Sequence, residues 1–231
     1  MEILGITLAR GGSKSVVNKN IRPICGKPLI AFTIEEALKS NYINDYIVSS
    51  DSKEIMKTAN KYGAKTPFIR PENLSSDTAS SAEALQHAVY FMEDLHNKRY
   101  DYIVELMCTN PLKTVSDIDA IIKDIKTSKA DSVIAVHQLE DHHPARIKKL
   151  NNGYIQDFCV EEPNEARRQD LTPKAYIRSG SIYCMKRDYL MNDGMRYGGK
   201  NSKGYVLPPE RAINIDTKND FMLAEIIMSE L

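Results

Sequence analysis

The chain has 231 residues, of which 42% are hydrophobic, and its 31 basic side chains balance 31 acidic ones. A chain of this length can form one sizeable domain around its own core, without disulfides or structural metal ions. The neutral balance argues against a global electrostatic field that would attract nucleic acid or a membrane surface. We therefore expect neither as a partner, and any charge-dependent function must come from a local cluster.

The cysteines and the N-terminal segment bear on the cellular compartment. Cys25, Cys108, Cys159 and Cys184 form no C-x-x-C pair, which favours buried free thiols in a reducing compartment over a disulfide framework or a zinc site. Residues 1–12 are a short apolar run with an acidic residue near the start and glycines at the end, and no stretch approaches membrane-spanning length. These features predict a cytoplasmic protein.

The first structural unit is a strand, a basic loop and a helix. Residues 3–9 form a nearly continuous apolar run that ends at Gly11 and Gly12, a pattern typical of a strand buried on both faces of a parallel sheet. Pro28 then opens a helical pattern that reaches Leu38, since proline is pre-organised for the first turn of a helix.

The same alternation continues along the chain. Asp51 with Glu54, and Ser80 with Glu83, have the spacing of helix N-terminal capping residues, and Thr217 is predicted to cap a last helix. Strands are predicted at residues 46–49, 66–69, 102–107, 132–136, 176–185 and 213–215. This alternation predicts an α/β fold with a doubly wound, mainly parallel sheet.

The alternation breaks after residue 137. Residues 146–150 and 154–158, joined by a turn at 151–153, predict a β-hairpin, and the polar stretch 161–174 follows it. We interpret residues 138–175 as a small insertion within a single domain that spans residues 1–231.

A basic loop follows the first predicted strand. Five basic residues and no acidic ones lie between positions 10 and 27: Arg10, Lys14, Lys19, Arg22 and Lys27. Ligands of open α/β sheets bind beyond the carboxyl ends of the strands, and the Gly11-Gly12 pair lets backbone N–H groups approach an anion there. The loop matches neither a P-loop nor the G-x-G-x-x-G dinucleotide turn. It predicts triphosphate binding, with a merely solvated basic loop as the alternative.

Six segments carry a family resemblance: ARGGSK at 9–14, NKNI at 18–21, GKPLI at 26–30, SSD at 49–51, RPENLSSDTASS at 70–81 and INID-T at 213–217. In this order and spacing they resemble the CMP-sialic acid synthetases, or acylneuraminate cytidylyltransferases, and the sister enzymes that activate other nonulosonic acids. The resemblance runs from end to end. It implies a Rossmann-like nucleotidyltransferase that transfers CMP from CTP to the anomeric hydroxyl of a nine-carbon keto-sugar acid and releases pyrophosphate.

The resemblance also implies roles for individual residues. Arg10 and Lys14 would hold the phosphates, and Lys19 would support the charge near the transferred phosphorus. Nucleotide binding falls to Gly11, Gly12, Asn20, Arg70, Asp77 and Ser81. Sugar binding falls to Met107, Arg168, Gln169, Ser179 and Tyr183. Asp216 and Asn214 would hold Mg²⁺ or another divalent cation, and the insertion would form a homodimer interface.

Four positions depart from the sialic acid pattern: Ser15 replaces a glycine, Met107 a glutamine that faces the sugar, Ser179 an asparagine, and Asn214 the first aspartate of a DID motif. Three of them fall at the sugar or metal end, which favours another nonulosonic acid, such as legionaminic or pseudaminic acid. Two alternatives stay open. One is a nucleotidyltransferase for KDO or another sugar, and the other is a catalytically weakened nucleotide-binding protein.

Overall fold

The computed structural model of the protein describes residues 1–13, 15–163 and 167–230. The strands are β1 (Ile3–Leu8), β2 (Pro23–Ile24), β3 (Lys27–Pro28), β4 (Asp45–Ser49), β5 (Tyr102–Leu106), β6 (Ser132–Gln138), β7 (Lys148–Asn151), β8 (Tyr154–Asp157), β9 (Tyr176–Lys186) and β10 (Ser202–Val206). The α-helices are α1 (Leu29–Leu38), α2 (Lys53–Lys61), α3 (Ser81–His96), α4 (Val115–Ser128), α5 (Arg187–Met191) and α6 (Lys218–Ser229).

The main sheet has six strands in the order β10-β6-β9-β5-β1-β4. Only β9 runs antiparallel to its neighbours, β5 and β6. The strand β1, which lies next to the edge strand β4, pairs in parallel with β4 and β5, which places Ile6 opposite Ile47 and Glu105. The predicted mainly parallel sheet is therefore confirmed, and the carboxyl ends of β1 and β5 lie side by side.

Helices cover both faces of this sheet. One core layer joins the sheet to α1, α2 and α4 through side chains such as Ile34, Ile55 and Ile121. The other joins it to α3 and α5 through side chains such as Leu85 and Leu190. The fold is doubly wound, as predicted, because a sheet with two apolar faces must bury both against helices. In the described part of the chain, no helix combines the length and apolar character needed to cross a membrane.

The helix caps were predicted with one error. Ser80 and Glu83 form the predicted capping box at α3, and Thr217 caps α6. The N-cap of α2 is Ser52, not Asp51, and its Oγ accepts a hydrogen bond from the backbone N–H of Ile55. Asp51 is used elsewhere, because its carboxylate accepts a hydrogen bond from the Gly11 N–H at 2.9 Å.

Two predicted strands are wrong, and three strands were missed: β10 and the two-residue strands β2 and β3. In the segment 65–69, only Lys65 and Ile69 make isolated bridges, with Ile47 of β4 and with Ser50 just after it. Residues 213–215 run as irregular backbone, and the Ile215 N–H donates to the Thr109 carbonyl oxygen at 2.7 Å. The missed strand of the main sheet is β10, which pairs with β6 at its edge. Its sequence, SKGYV, lacks the apolar run that a central strand shows, because an edge strand stays half solvated.

The predicted hairpin is confirmed as β7 and β8, which pair antiparallel from Lys148–Asp157 to Asn151–Tyr154. Asn152 and Gly153 both have positive φ, 49° and 85°, the backbone that two-residue hairpin turns require. The expectation of buried cysteines holds for Cys108 and Cys184 and is wrong for Cys25 and Cys159, which are exposed.

Candidate active site

A cleft of about 520 Å³ opens beyond the carboxyl ends of β1 and β5. Its walls are the loop that follows β1, the segment that leads into α3, the turn that follows β5, and one acidic residue before α6. From the predicted site they contribute Arg10, Lys19, Asn20, Arg70, Asp77, Ser81, Met107 and Asp216. Eight residues that are far apart in the sequence are thus brought to one cavity.

The loop after β1 is fixed by the side chain of Asn20. Its Nδ2 donates to the Arg10 carbonyl oxygen at 2.9 Å, and its Oδ1 accepts a hydrogen bond from the Cys108 Sγ at 2.9 Å. Asn20 is buried, so it ties the loop to the turn after β5. The Gly11 N–H is bonded to Asp51, as described above, and Gly12 lies in the same loop. Lys14 lies outside the described residues.

Arg10 and Asp77 form an ion pair across the cleft, with 2.7 Å between Nη1 and Oδ1. Both side chains are partly exposed, so the pair contributes little to stability, at most about 1 kcal/mol. Its importance is positional, because it holds a guanidinium in the cleft that Ser81, the first residue of α3, also lines. Ser81 lies at a helix N-terminus, where backbone N–H groups and the helix dipole favour anions.

Arg70 is the most deeply buried cation of the cleft, with 5% of its surface exposed. Its backbone N–H donates to the Ser50 carbonyl oxygen at 2.8 Å. Its Nε and Nη2 are buried and have no hydrogen-bond partner among the described residues. Burial lowers the pKa of Arg70 below its ordinary value; Asp51 opposes that shift and Arg10 adds to it. Buried donors without partners are costly, so the site is arranged for a ligand that supplies acceptors.

Lys19 meets the segment before α6 at the opposite wall. Its Nζ donates to the Ile215 carbonyl oxygen at 2.7 Å and lies 3.4 Å from Oδ1 of Asp216. The other carboxylate oxygen of Asp216 accepts a hydrogen bond from Nδ2 of Asn214 at 2.6 Å. A cation and an exposed carboxylate therefore face the same end of the cleft.

The side chains near Asp216 provide too few ligands to hold a metal ion by themselves, and fit a metal site in which substrate phosphates provide the rest. Within residues 1–13, 15–163 and 167–230, no three His, Cys, Asp or Glu side chains come together as metal ligands. Asp216 offers one exposed carboxylate, and Oδ1 of Asn214 is buried without a hydrogen-bond partner. Mg²⁺ is commonly held by one or two carboxylates together with substrate phosphates and water, and this pair meets that requirement.

The predicted sugar-binding residues are divided among three cavities. Met107 lines the main cleft. Ser179 and Tyr183 line a neighbouring cavity of about 430 Å³ that also contains Asn214. Arg168 and Gln169 line a separate cavity of about 210 Å³ in the insertion. Arg168 is paired there with Asp141 and Glu140, at 3.3 and 3.4 Å.

Sequence reasoning missed two carboxylates in and beside the cleft. Asp51 receives the Gly11 N–H, and Glu105 lines the cleft from within β5. Glu105 had left a signal, because it interrupts the apolar run YIVELM at 102–107. A charge inside a buried strand needs a partner or a function.

Comparison with known proteins decides the family. A family model described as Cytidylyltransferase matches residues 4–196, a range that begins in β1 and ends after α5. The chain belongs to this cytidylyltransferase family. It is therefore a nucleotidyltransferase enzyme, and the resemblance found in the sequence is confirmed.

Two relatives span the family match and extend beyond it. The pseudaminic acid cytidylyltransferase of Campylobacter jejuni strain 81-176 is 35% identical over 98% of this chain and 96% of its own length. The CMP-N,N'-diacetyllegionaminic acid synthase of Campylobacter jejuni strain NCTC 11168 is 31% identical over 99% of this chain and 95% of its own. Among cytidylyltransferases, the structural likeness extends to CMP:2-keto-3-deoxy-manno-octonic acid synthetase complexed with CTP. That structure has a TM-score of 0.71 at 17% identity and covers 100% of this chain and 99% of the other, which supports the fold.

Proposed function

We propose that the protein transfers CMP from CTP to the anomeric hydroxyl of a nonulosonic acid and releases pyrophosphate. The observation that carries the proposal is the buried guanidinium of Arg70, whose Nε and Nη2 lack partners among the described residues. They belong to the same cleft as the cations Arg10 and Lys19. A nucleoside triphosphate supplies both things that this cleft calls for, acceptor atoms for buried donors and negative charge for the cations.

The chemistry is an in-line displacement at the α-phosphorus, in which the acceptor oxygen forms a bond to phosphorus as the bond to pyrophosphate breaks. In such reactions the protein chiefly positions the two oxygens and stabilises the negative charge that spreads over the phosphate. Arg10 would bind the phosphates when it exchanges its contact with Asp77 for a phosphate oxygen. Lys19, held against Ile215, would face the transferred group, and we expect Lys14 to add a further cation.

A divalent cation would be held by Asp216, with the Asn214 amide oxygen as a weaker second ligand. Bound there with the triphosphate, it would neutralise phosphate charge. Asn214 carries no charge, so this end of the site offers one carboxylate where the sialic acid pattern has two.

The acceptor is proposed to be a nonulosonic acid other than N-acetylneuraminic acid. The relatives named above are named for pseudaminic acid and N,N'-diacetyllegionaminic acid. Met107 stands where the sialic acid pattern has a glutamine and lines the cleft, while Ser179 lies in the adjoining cavity with its Oγ bonded to the Ala135 carbonyl oxygen. These positions change the polar contacts available to the sugar and leave the nucleotide side unchanged.

A homodimer is proposed through the hairpin of the insertion. Four of its large apolar side chains are more than half exposed: Leu150, Tyr154, Ile155 and Phe158. Leu150 and Ile155 lie directly opposite each other across the two strands and share one face of the hairpin, whereas Tyr154 lies on the other face. A two-stranded hairpin is marginally stable by itself, so a second copy of the chain that covers the face of Leu150 and Ile155 would stabilise it.

The deciding experiment is a pyrophosphate-release assay with Mg²⁺. Each of CTP, UTP and ATP is paired with pseudaminic acid, N,N'-diacetyllegionaminic acid, N-acetylneuraminic acid and KDO, and the product is checked by mass spectrometry. We expect turnover with CTP and one of the first two acids. Efficient turnover only with N-acetylneuraminic acid or KDO would overturn the acceptor assignment. CTP binding without pyrophosphate release from any pair would instead identify a nucleotide-binding relative.

A further inference from the structure

Glu105 is a carboxylate in the interior of the central sheet. It is 0% exposed, and its neighbours in β5, Ile103, Val104 and Leu106, are buried apolar residues. Alternate residues of a strand share a face, so Glu105 and Met107 face the same side, and both line the main cleft. Burial raises the pKa of Glu105 above its ordinary value, which Arg196 opposes. A buried charge in this position is costly unless something compensates it.

Arg196 donates hydrogen bonds to one oxygen of this carboxylate and none to the other. Its Nε donates to Oε2 of Glu105 at 2.8 Å, and its Nη2 donates to the same oxygen. Oε1 is buried and has no hydrogen-bond partner among the described residues. An arginine fork commonly engages both oxygens of a carboxylate. Here both donors converge on one oxygen, so the second remains available to a ligand.

The aromatic residues around Arg196 fix this geometry. Its guanidinium lies 4.6 Å from the ring centroid of Tyr183, which pairs directly with Glu105 across β5 and β9. The rings of Tyr183 and Tyr197 lie 5.5 Å apart, and Arg178 covers Tyr197 at 4.5 Å. Tyr183 also lines the cavity that contains Ser179 and Asn214. Glu105 lines the main cleft and its cross-strand neighbour Tyr183 lines the second cavity, so this pair of residues lies where the two cavities adjoin.

We infer that Glu105 is a specificity-determining residue, whose Oε1 accepts a hydrogen bond from an N–H or O–H group of the acceptor acid while Arg196 holds the carboxylate in place. The inference rests on the proposed function. It also explains the departure at Met107, whose thioether is only a weak hydrogen-bond acceptor and offers no donor. Glu105, two residues before Met107 and on the same face, would make the polar contact to the acceptor instead.

The test is Glu105→Gln. Arg196 can only donate hydrogen bonds, so the glutamine oxygen turns toward Arg196 and its NH₂ group replaces Oε1. The group that faces the acceptor acid is then a hydrogen-bond donor, where Oε1 of Glu105 is an acceptor. We expect the KM for the acid that the wild type uses, pseudaminic acid or N,N'-diacetyllegionaminic acid, to rise about tenfold or more. The KM for CTP should stay within about twofold, because the nucleotide contacts are unchanged.

A matched control is Glu93→Gln, which removes a carboxylate from another ion pair of the same fold. Glu93 accepts hydrogen bonds from Nε and Nη2 of Arg187 at 2.9 and 2.8 Å, and it lies on α3 away from the cleft. A merely structural role for Glu105 would lower the thermal midpoint in both variants and leave the acceptor KM unchanged in both. That result would overturn the inference. In the wild type, the acceptor KM should rise as pH falls and Glu105 gains a proton, and Glu105→Gln should lack this rise.

Calorimetric titration of each acid into the protein with CDP separates this inference from the proposed function. Equal acceptor Kd values for wild type and Glu105→Gln overturn the role of Glu105, whatever the turnover. A weaker Kd for the variant, in a protein that releases no pyrophosphate, supports Glu105 and overturns the transfer reaction alone. No binding of any acid to the wild type overturns both.

Discussion

Lys19 Nζ lies 2.7 Å from the carbonyl oxygen of Ile215, and this contact joins the loop after the first strand to the segment before the last helix. The two residues are 196 positions apart in the sequence. Lys19 is thereby fixed at the wall of the cleft, 3.4 Å from the Asp216 carboxylate. Its ammonium group is placed to stabilise charge on a phosphate.

Lys19→Ala should lower kcat about 100-fold, because removal of one fixed donor that stabilises transition-state charge has effects of this size. The circular dichroism spectrum should be unchanged. Lys27→Ala is the matched control, since Lys27 is in the same basic loop but pairs with Glu35 at 2.8 Å and does not line the cleft. A rate for Lys19→Ala close to that of the control would remove Lys19 from the mechanism.

Arg70→Lys should raise the KM for CTP about tenfold or more while the charge is retained. A lysine offers a point charge and no planar fork, so it cannot reproduce the donors that Nε and Nη2 present in the buried site. Arg99→Lys serves as control, because Arg99 is exposed, paired with Asp188 and not among the residues that line the cleft. An unchanged KM for CTP in Arg70→Lys would mean that those buried donors do not contact the nucleotide.

The elements that could be predicted from sequence alone are those marked by a local pattern, either a run of apolar residues or a pair of capping residues. The strands β1 and β5 are mainly apolar runs inside a mostly parallel sheet, and the helix caps at Ser80 and Thr217 depend on residues three positions apart. Residues 213–215 looked like a strand for the same reason, since Ile215 is fully buried. They pack as irregular backbone against α6, and the Ile215 N–H bonds to the Thr109 carbonyl oxygen instead of to a neighbouring strand. A pairing choice of this kind leaves no local signal.

The nucleotide side of the site could be predicted better than the acceptor side. Arg10 and Lys19 follow β1, and Arg70 follows Ile69, which makes an isolated parallel bridge with Ser50 just after β4, so the parallel arrangement brings all three to the same edge of the sheet. Arg168 lies in the insertion and lines a separate cavity, where it pairs with Glu140 and Asp141. Glu105 escaped prediction because its role depends on Arg196, 91 residues away.

Asn214→Asp should lower the Mg²⁺ concentration that gives half-maximal rate several-fold. Asn214 donates to Asp216 at 2.6 Å, so an aspartate there sets two carboxylates against each other, and a divalent cation relieves their repulsion. Titration of Mg²⁺ against initial rate measures the shift. Asn60→Asp, on α2, makes the same change of charge outside the cleft and should leave the Mg²⁺ dependence as it is. If both variants behave alike, position 214 is not part of a metal site.

The hairpin should control the oligomeric state. Replacing Leu150 and Ile155 together by serine removes two apolar side chains that are 74% and 72% exposed, and we expect the dimer to dissociate because its buried apolar area falls. Analytical ultracentrifugation gives the mass directly. The control replaces Met222 and Ile226 by serine, since these are comparably exposed on α6. A wild type that sediments as a monomer, or a hairpin variant that remains dimeric, would refute this interface.

Lys113 should make stability depend on pH. Its ammonium nitrogen is buried and donates to Thr33 Oγ1 at 2.8 Å, to the Met107 carbonyl oxygen at 2.7 Å and to the carbonyl oxygen of Asn110. Burial lowers the pKa of Lys113 to about 7, from an ordinary value of 10.5. Between these two values the unfolded chain binds more protons than the folded protein, so Lys113 makes the free energy of unfolding rise with pH in that range. Below pH 7 its contribution does not change with pH.

Lys113→Met removes this group and nearly preserves its volume. The free energy of unfolding, measured by urea titration, should therefore increase more in the wild type than in the variant as pH rises from 7 to 10. Other groups that titrate in this range are present in both proteins and cancel in the difference. Lys57→Met, at an exposed position on α2, should show a difference that does not change with pH. A constant difference for Lys113→Met as well would show that Lys113 keeps its proton in the folded protein, and that its three acceptors offset the burial.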